Sequence, residues 1–218
     1  MNYRKMGNLD VEVSALGFGA MRLPIIDDDS SKIDEEEAVK MIRYGIDNGI
    51  NYVDTAWPYH QGESEKVVGK ALQDGYREKV HLATKLPIWE CKKKEDLDRI
   101  FNKQLEKLDV ESVDFYLLHA LDEGHWQTVK DLDIIEWAEK KKEEGKIKYL
   151  GFSFHDSHEL FNTILDSHDW DFCQIQYNYL DVEYQAGQAG LQKAYEKGIG
   201  VVIMEPIRGG WLAQEPPA

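Results

Sequence analysis

The chain alternates between short apolar runs and longer segments whose apolar residues recur at helical spacing. Runs rich in Val, Ile, Leu and Phe predict strands at residues 15–21, 51–56, 80–85, 113–119, 149–154, 172–178 and 200–206. The segments between them predict helices at residues 35–48, 63–74, 95–108, 132–144, 158–166 and 190–197. In the first of these helices Ala38, Ile42 and Ile46 lie on one face. Each predicted strand except the last is therefore followed by a helix.

This alternation predicts an α/β protein with a parallel sheet that is covered on both faces. The predicted strands lack the two-residue alternation of a half-exposed sheet. Two architectures fit, a doubly wound sheet and a (β/α)8 barrel. Ahead of the first strand, residues 3–6 and 11–14 flank a Gly7-Asn8 turn signal and predict a β-hairpin that would close the bottom of a barrel.

Length and charge narrow the class of protein. The 218 residues are enough for one large domain, and because no linker is visible we predict a single domain over residues 1–218. The formal net charge of −15 disfavours binding to nucleic acid or to an anionic membrane. No run of about 18 apolar residues occurs, and the start lacks the apolar segment of a signal peptide. We therefore expect a cytoplasmic protein.

Polar side chains close the predicted strands from the second onwards. These residues are Asp54, Lys85, His119, Ser153, Gln176 and Glu205. Their separations of 31, 34, 34, 23 and 29 residues each correspond to about one βα unit. Because chemistry in a barrel lies at the carboxyl ends of the strands, we expect these side chains to converge on one mouth.

Tyr59, five residues after Asp54, gives this set a proton donor. A free tyrosine has a pKa of about 10, and we expect the ammonium group of Lys85 to lower it. Asp54 would hold Lys85 in a salt bridge, and His119 would donate a hydrogen bond to a substrate oxygen. Such a set protonates a carbonyl oxygen as it gains negative charge, and it needs a separate hydride donor.

The sequence resembles the aldo-keto reductase superfamily over nearly its whole length. The matching stretches are GFGAMRLP at 17–24, DTAWPYHQGESE at 54–65, ATK ending at Lys85, LLH at 117–119, GFS at 151–153, QYN at 176–178 and MEPIRGG at 204–210. The resemblance implies a (β/α)8 TIM barrel that binds NADPH without a Rossmann domain. It implies Tyr59 as the general acid, Lys85 and Asp54 as the groups that tune it, and His119 as the residue that orients the carbonyl.

The resemblance also implies which residues hold NADP(H). Ser153 and Gln176 would bind the nicotinamide carboxamide, and Met204 falls where the family usually has an aromatic residue stacked on the ring. Gly19, Met21, Asp54 and Arg208 complete the predicted cofactor site. Trp57, Trp89 and Trp126 each follow a predicted strand and are expected to wall an apolar pocket for a small carbonyl substrate.

Besides Met204, two features depart from the family pattern. Phe154 follows Ser153 where the family usually has Asn. The predicted strands end with the seventh, so we expect a barrel truncated at its C-terminus, without the segment that carries the family's basic residues for the adenosine 2′-phosphate. Three interpretations follow: a fragment of a longer protein, which we favour; completion of the barrel by self-association through its open edge; or a naturally shortened relative.

Two other functions compete with carbonyl reduction. A regulatory or sensor protein of the same fold would bind the nucleotide and turn over carbonyls negligibly. A (β/α)8 hydrolase would use Asp54, His119 and Glu205 around a metal. We expect no metal site, because His119 and His125 lack further ligands at metal spacing. Of the remaining histidines we place only His155 near the pocket; His60, His125, His158 and His168 are expected at the surface or in loops.

Overall fold

The computed structural model describes residues 1–213, so the last five residues of the predicted domain lie outside the described part. The strands are β1 (Tyr3–Lys5), β2 (Glu12–Ser14), β3 (Phe18–Gly19), β4 (Tyr52–Asp54), β5 (His81–Leu86), β6 (Val113–Leu121), β7 (Ile147–Phe154), β8 (Phe172–Gln176) and β9 (Gly200–Met204). The helices are α1 (Glu35–Asp47), α2 (Ser64–Ala71), α3 (Lys94–Leu108), α4 (Glu123–Asp131), α5 (Ile134–Glu143), α6 (His158–Asp166) and α7 (Gly187–Glu196). Short 3-10 turns lie at Tyr59–Gly62, Arg77–Lys79, Ile88–Glu90 and Arg208–Ala213.

The seven strands β3 to β9 form one parallel sheet in chain order, and β1 pairs with β2 as an antiparallel hairpin. The sheet curls into a half-barrel with helices around it. The predicted βα alternation and the predicted hairpin are therefore confirmed. Within the described residues the two outer strands, β3 and β9, each pair on one side only, and self-association through these edges stays a prediction.

One helix was not anticipated from the sequence. Residues 123–131 form α4 between β6 and α5, where we expected a loop. The side chain of Asp122 accepts a hydrogen bond from the backbone N–H of His125 and caps the helix. Trp126 and Val129, three residues apart, are its buried face.

Residues alternate along each strand between two apolar layers. The inner layer fills the half-barrel with Met6, Tyr52, Ala83, Phe115, Leu117 and Phe172. The outer layer lies between sheet and helices and holds, among others, Val53, Leu82, Tyr116, Phe152 and Cys173. Met6 comes from the turn of the hairpin, so the hairpin closes the amino-terminal end of the half-barrel as predicted. The opposite end, where the strands finish, is called the mouth below.

The cysteines belong to this packing. Cys91 and Cys173 are both buried and unpaired, and burial raises the pKa of each thiol to about 12. Both thiols are therefore protonated at neutral pH and inert as nucleophiles. In the described part of the chain, no helix is both long and apolar enough to cross a bilayer.

Candidate active site

The inner face of the strands turns from apolar to polar as it reaches the mouth. Asp54 lies two residues after Tyr52, and Lys85 lies two residues after Ala83. His119 follows Leu117 in the same way. Since side chains of a strand return to the same face every second residue, these polar groups extend the inner layer into the mouth.

Lys85 is the centre of the polar cluster. Its Nζ donates hydrogen bonds to Asp54 Oδ1 at 2.6 Å, to the carbonyl oxygen of Thr55 at 2.8 Å and to Tyr59 Oη at 3.1 Å. The side chain is fully buried. Burial lowers the pKa of Lys85, but the carboxylate of Asp54 and the hydroxyl of Tyr59 outweigh it and hold this pKa above its ordinary value. Lys85 is therefore a fixed cation at neutral pH.

Tyr59 stands at the start of a 3-10 turn that brings its hydroxyl to Lys85. His60 and Gln61 in this turn have left-handed backbones, with φ of 52° and 54°. The pKa of Tyr59 is raised above its ordinary value, because burial outweighs the lowering effect of the Lys85 ammonium group. This differs from the expected lowering. The sequence identified the cation that lowers the pKa, but it did not show how far the phenol would be buried.

His119 completes the group on β6. Its ring centroid lies 6.0 Å from that of Tyr59 and 5.2 Å from that of Trp89. Burial and the Lys85 ammonium group hold the pKa of His119 well below its usual range, so the ring is neutral. Nδ1 is buried and has no partner among the described residues. An N–H without an acceptor is costly there, so the proton of the neutral ring belongs on Nε2.

The neutral His119 makes stability depend on pH. Unfolding returns the ring to its ordinary pKa of 6.5, so below this pH the unfolded chain binds a proton that the folded ring excludes. The free energy of unfolding is therefore expected to fall by about 1.4 kcal/mol for each pH unit below that value until the folded pKa is reached. Urea unfolding at about pH 7 and at about pH 5 measures this fall in the free energy of unfolding. In His119→Gln the part of the fall that comes from His119 is expected to be absent.

His168→Gln is the control for this prediction, because His168 is partly exposed and bound to Glu139 away from the mouth. The same loss of stability on acidification in wild type and His119→Gln would contradict the assignment of a neutral, buried His119.

Two amide side chains, those of Gln174 and Gln176, lie on the inner face of β8. Sequence reasoning selected only Gln176, the one nearer the mouth. Gln174 Nε2 donates to Asp54 Oδ2 at 3.4 Å, and Gln174 pairs in register with Ser153 on β7. Gln176, the predicted cofactor ligand, instead donates to Asp181 Oδ2 at 3.1 Å. The missed signal was present in the sequence, because residues two apart on a strand share a face.

Arg208, another predicted cofactor residue, is ion-paired. Its guanidinium donates to both carboxylate oxygens of Asp181, with Nε 2.7 Å from Oδ2. Asp181 also accepts from Asn178 Nδ2 at 2.7 Å. The hydrogen bond from Arg208 is the largest cause that lowers the pKa of Asp181. This carboxylate therefore ties the loop after β8 to the loop after β9.

Arg22 is a third cation at the mouth, after Lys85 and Arg208, and sequence reasoning missed it. Its guanidinium lies against Gly209: a Cβ atom on Gly209 would be only 3.0 Å from Arg22 Nη1. Arg208, Gly209 and Gly210 have successive left-handed backbones, with φ of 45°, 65° and 100°. These residues open the 3-10 turn Arg208–Ala213, and successive backbone N–H groups in a turn can form a concavity that suits an anion.

The remaining predicted cofactor residues border this region. Gly19 ends β3, and no atom would lie within 4 Å of a Cβ on it, so open space faces it. Met21 is 56% exposed. Met204 ends β9 and is half-buried. All three residues lie at or just beyond the carboxyl ends of β3 and β9.

The three tryptophans are separated by the fold. Trp89 packs between His119 and His125, at centroid distances of 5.2 Å and 5.8 Å. Trp126 is buried in the outer layer. Trp57 lies under Lys107, whose Nζ is 3.9 Å from the ring centroid. Of the three, only Trp89 contacts the polar cluster, through His119. The pocket role of all three tryptophans stays a prediction.

His60 was expected at the surface or in a loop; it lies in the 3-10 turn after β4, but its side chain is buried. Nε2 accepts a hydrogen bond from the backbone N–H of Leu23 at 2.9 Å, and Nδ1 lies 2.8 Å from the carbonyl oxygen of Ser30. Because the carbonyl can only accept, Nδ1 carries the proton and the ring is neutral. His60 thus anchors the loop after β3 to the turn that carries Tyr59. His155 is exposed, within 3.4 Å of Gln185.

Comparison with known proteins assigns the chain to a family. An aldo/keto reductase family model matches residues 15–216. The chain is 31% identical over 216 residues to the probable aldo-keto reductase 1 of Glycine max, covering 95% of this chain and 60% of that protein. It is 28% identical over 228 residues to the uncharacterized oxidoreductase YqkF of Bacillus subtilis (strain 168), covering 99% of this chain and 68% of that protein. The chain thus spans less than two thirds of the length of the Glycine max relative.

Solved structures give the same assignment. The holo form of aldo-keto reductase AKR11C1 from Bacillus halodurans superposes with a TM-score of 0.79 at 28% identity, covering 100% of this chain and 70% of that one. An aldo-keto reductase from Klebsiella pneumoniae, solved in complex with NADPH, gives 0.76 at 26% identity, covering 97% and 71%. With the family match over residues 15–216, these similarities show that the chain belongs to the aldo/keto reductase family.

Proposed function

We propose that the protein reduces an aldehyde or ketone with NADPH and that Tyr59 is the proton donor. The observation that carries the proposal is the contact of one buried ammonium group, Lys85, with both the carboxylate of Asp54 and the hydroxyl of Tyr59. A phenol held against a buried cation gives up its proton more readily than an equally buried phenol without one. This arrangement suits protonation of an oxygen that is becoming an alkoxide.

Each residue has a distinct part in this reaction. The Nε2–H of His119 donates a hydrogen bond to the carbonyl oxygen and orients it. Tyr59 transfers its proton to that oxygen as negative charge develops there. Lys85 remains protonated and stabilises the phenolate, while Asp54 keeps Lys85 in place and offsets its charge. The raised pKa of Tyr59 keeps the phenol protonated before reaction.

The mouth fits a nicotinamide dinucleotide. Ser153 and Gln174 are neighbouring hydroxyl and amide groups beside Asp54, suited to the carboxamide. The guanidinium group of Arg22 and the backbone N–H groups of the turn at Gly209 and Gly210 suit the diphosphate. When bound, NADPH supplies the hydride to the carbonyl carbon. The Klebsiella pneumoniae neighbour, which was solved with NADPH, supports this choice of cofactor.

The substrate is proposed to be a small carbonyl compound that contacts Trp89, the tryptophan that packs against His119. Aromatic walls with a few convergent polar groups are typical of small-molecule sites. The cytoplasmic location remains an expectation from the sequence.

A regulatory or sensor role is the second candidate, and Phe154 is the observation that favours it. Phe154 is buried in the outer layer, so it offers no amide to the carboxamide where the family usually has Asn. The hydrolase interpretation is disfavoured because Asp54 already pairs with Lys85 at 2.6 Å. Among residues 1–213, no group of three or more His, Cys, Asp or Glu side chains is arranged to hold a metal.

Fluorescence titration with NADPH, followed by NADPH consumption with a panel of aldehydes and ketones, tests the proposal. Binding together with turnover is the expected result. Binding without turnover of any carbonyl would favour the sensor role, and absence of binding would contradict both.

A matched pair of arginine variants locates the cofactor in this test. Arg22→Gln is expected to weaken NADPH binding by about tenfold to a hundredfold, since a charge-assisted contact contributes about 1.5–3 kcal/mol. Arg4→Gln, a change at an exposed arginine of the hairpin strand β1, is expected to leave binding unchanged. Equal effects of the two changes would contradict a diphosphate site at the mouth.

A further inference from the structure

We propose that His125 is a positioning residue that holds His119 in its reactive place. The inference rests on the proposed function, in which His119 orients the carbonyl. His125 itself does not contact the cluster of Lys85, Tyr59 and Asp54. It acts instead on the backbone of Ala120, the residue directly after His119, and on Trp89.

The strand that carries His119 is irregular at this point. Leu118 pairs with Phe152 and Leu121 pairs with Phe154, so three steps along β6 match two steps along β7. The extra residue forms a β-bulge, which redirects neighbouring side chains. Ala120 within it has a left-handed backbone with φ of 52°, which residues with a Cβ rarely adopt. Surrounding groups must therefore maintain this conformation.

Two hydrogen bonds hold the peptide groups on either side of Ala120. The N–H of Ala120 donates to Ser153 Oγ at 2.7 Å, which fixes the peptide shared with His119. The carbonyl oxygen of Ala120 lies 2.7 Å from His125 Nδ1. Because a carbonyl can only accept, the His125 ring donates this bond from Nδ1. Without it, one of the two restraints on the bulge is lost.

His125 also reaches His119 through a side chain. The ring of Trp89 lies between the two histidines, 5.2 Å from His119 and 5.8 Å from His125. His125 is fixed in turn at the start of α4, where its backbone N–H donates to Asp122 Oδ1 at 2.7 Å. The backbone of Ala120 and the ring of Trp89 thus give His125 two independent contacts with the surroundings of His119.

Three variants test this role. His125→Ala removes the donor to Ala120. His125→Asn keeps an N–H near the position of Nδ1 and is expected to restore the function. His168→Ala is the matched control. Like His125, His168 bonds to an oxygen, that of Glu139, and it packs on a tryptophan, with its ring centroid 5.0 Å from that of Trp170. The side chains are similarly exposed, 22% for His168 and 26% for His125.

His125→Ala is expected to lower kcat for carbonyl reduction about tenfold to a hundredfold, the usual cost of a small misplacement. The Kd for NADPH is expected to change less than about threefold, because the cofactor contacts remain. His125→Asn recovers most of kcat, and His168→Ala leaves it unchanged. Equal kcat in wild type and His125→Ala would overturn the inference, as would equal losses in His125→Ala and His168→Ala.

Nitrogen NMR of the histidine rings separates this inference from the proposed function. Wild type is expected to show His119 with its proton on Nε2. His125→Ala shifts or broadens the His119 signals, and His125→Asn restores them, whether or not the protein turns over carbonyls. Unchanged His119 signals in His125→Ala would overturn the positioning role even if the enzyme is active. If His125→Ala fails to fold, His125→Gln replaces it. The glutamine amide lies near the position of His125 Nε2, so it cannot donate to the carbonyl oxygen of Ala120.

Discussion

Tyr59→Phe is expected to lower kcat for carbonyl reduction by about 10²–10⁴-fold, the usual contribution of a general acid. The change removes only the hydroxyl that donates the proton and that accepts a hydrogen bond from Lys85 at 3.1 Å. Lys85 keeps its bonds to Asp54 and to the carbonyl oxygen of Thr55. The fold and the Kd for NADPH should therefore change little, and the loss should appear in kcat.

Tyr52→Phe provides a matched control for this measurement. Tyr52 lies one layer below Asp54 on β4, and its buried hydroxyl has no partner among the described residues. Removing that hydroxyl is expected to leave kcat unchanged and stability equal or higher. Unaltered turnover in Tyr59→Phe, or an equal loss in Tyr52→Phe, would show that Tyr59 is not the acid.

Lys85→Met is expected to lower the free energy of unfolding by about 3–5 kcal/mol, because it leaves the carboxylate of Asp54 buried without its cation. The pair is almost fully buried, with side-chain exposures of 1% for Lys85 and 11% for Asp54. Turnover should fall in the same variant, since the phenolate of Tyr59 loses its stabilising charge. Urea unfolding measures the first effect.

The double variant Asp54→Leu, Lys85→Met separates loss of the pair from burial of a lone charge. Replacing both partners with apolar residues is expected to recover most of the stability but none of the turnover. Lys193→Met is the control, because its pair with Asp166 is exposed and worth less than about 1 kcal/mol. A double variant as unstable as Lys85→Met would contradict this explanation.

The pH dependence of this pair has the opposite direction to that of His119. Because the pKa of Lys85 is raised in the folded protein, its contribution is complete below the ordinary lysine pKa of 10.5. It is lost as the pH rises through the folded value. This contribution of Lys85 is therefore lost in strong alkali.

The sequence predicted the parts of the site that depend on strand order and side-chain type. Successive βα units bring Asp54, Lys85 and His119 to one end of a parallel sheet, and this follows from their positions at the ends of predicted strands. These groups could be predicted because the spacing of one βα unit fixes where each strand ends.

Other features of the site could not be predicted from the sequence, because they depend on the stagger of the strands, on the burial of side chains and on the paths of the loops. Gln174 and Gln176 share a face of β8, and only the stagger of the strands decides that Gln174 reaches Asp54. The raised pKa of Tyr59 reflects burial, which motif spacing does not measure. Arg22 lies in a loop, and its position against Gly209 depends on how that loop crosses the mouth.

Two histidines illustrate the same limit. His60 is buried because two loop segments, at Leu23 and Ser30, close over it. His125 contacts Ala120 because a bulge redirects β6 and because Asp122 caps the unexpected helix α4. Neither feature has a periodic signature, so sequence reasoning placed both residues at the surface or in loops.

The most direct test of carbonyl reduction follows the hydride itself. NADPH that carries deuterium at both positions of nicotinamide C4 is incubated with the protein and an aldehyde, and the alcohol is examined by mass spectrometry. We expect one deuterium on the former carbonyl carbon, and a much smaller yield of labelled alcohol from Tyr59→Phe. Bound NADPH with no labelled alcohol for any carbonyl in the panel would contradict the enzymatic role and favour a protein that only senses the nucleotide.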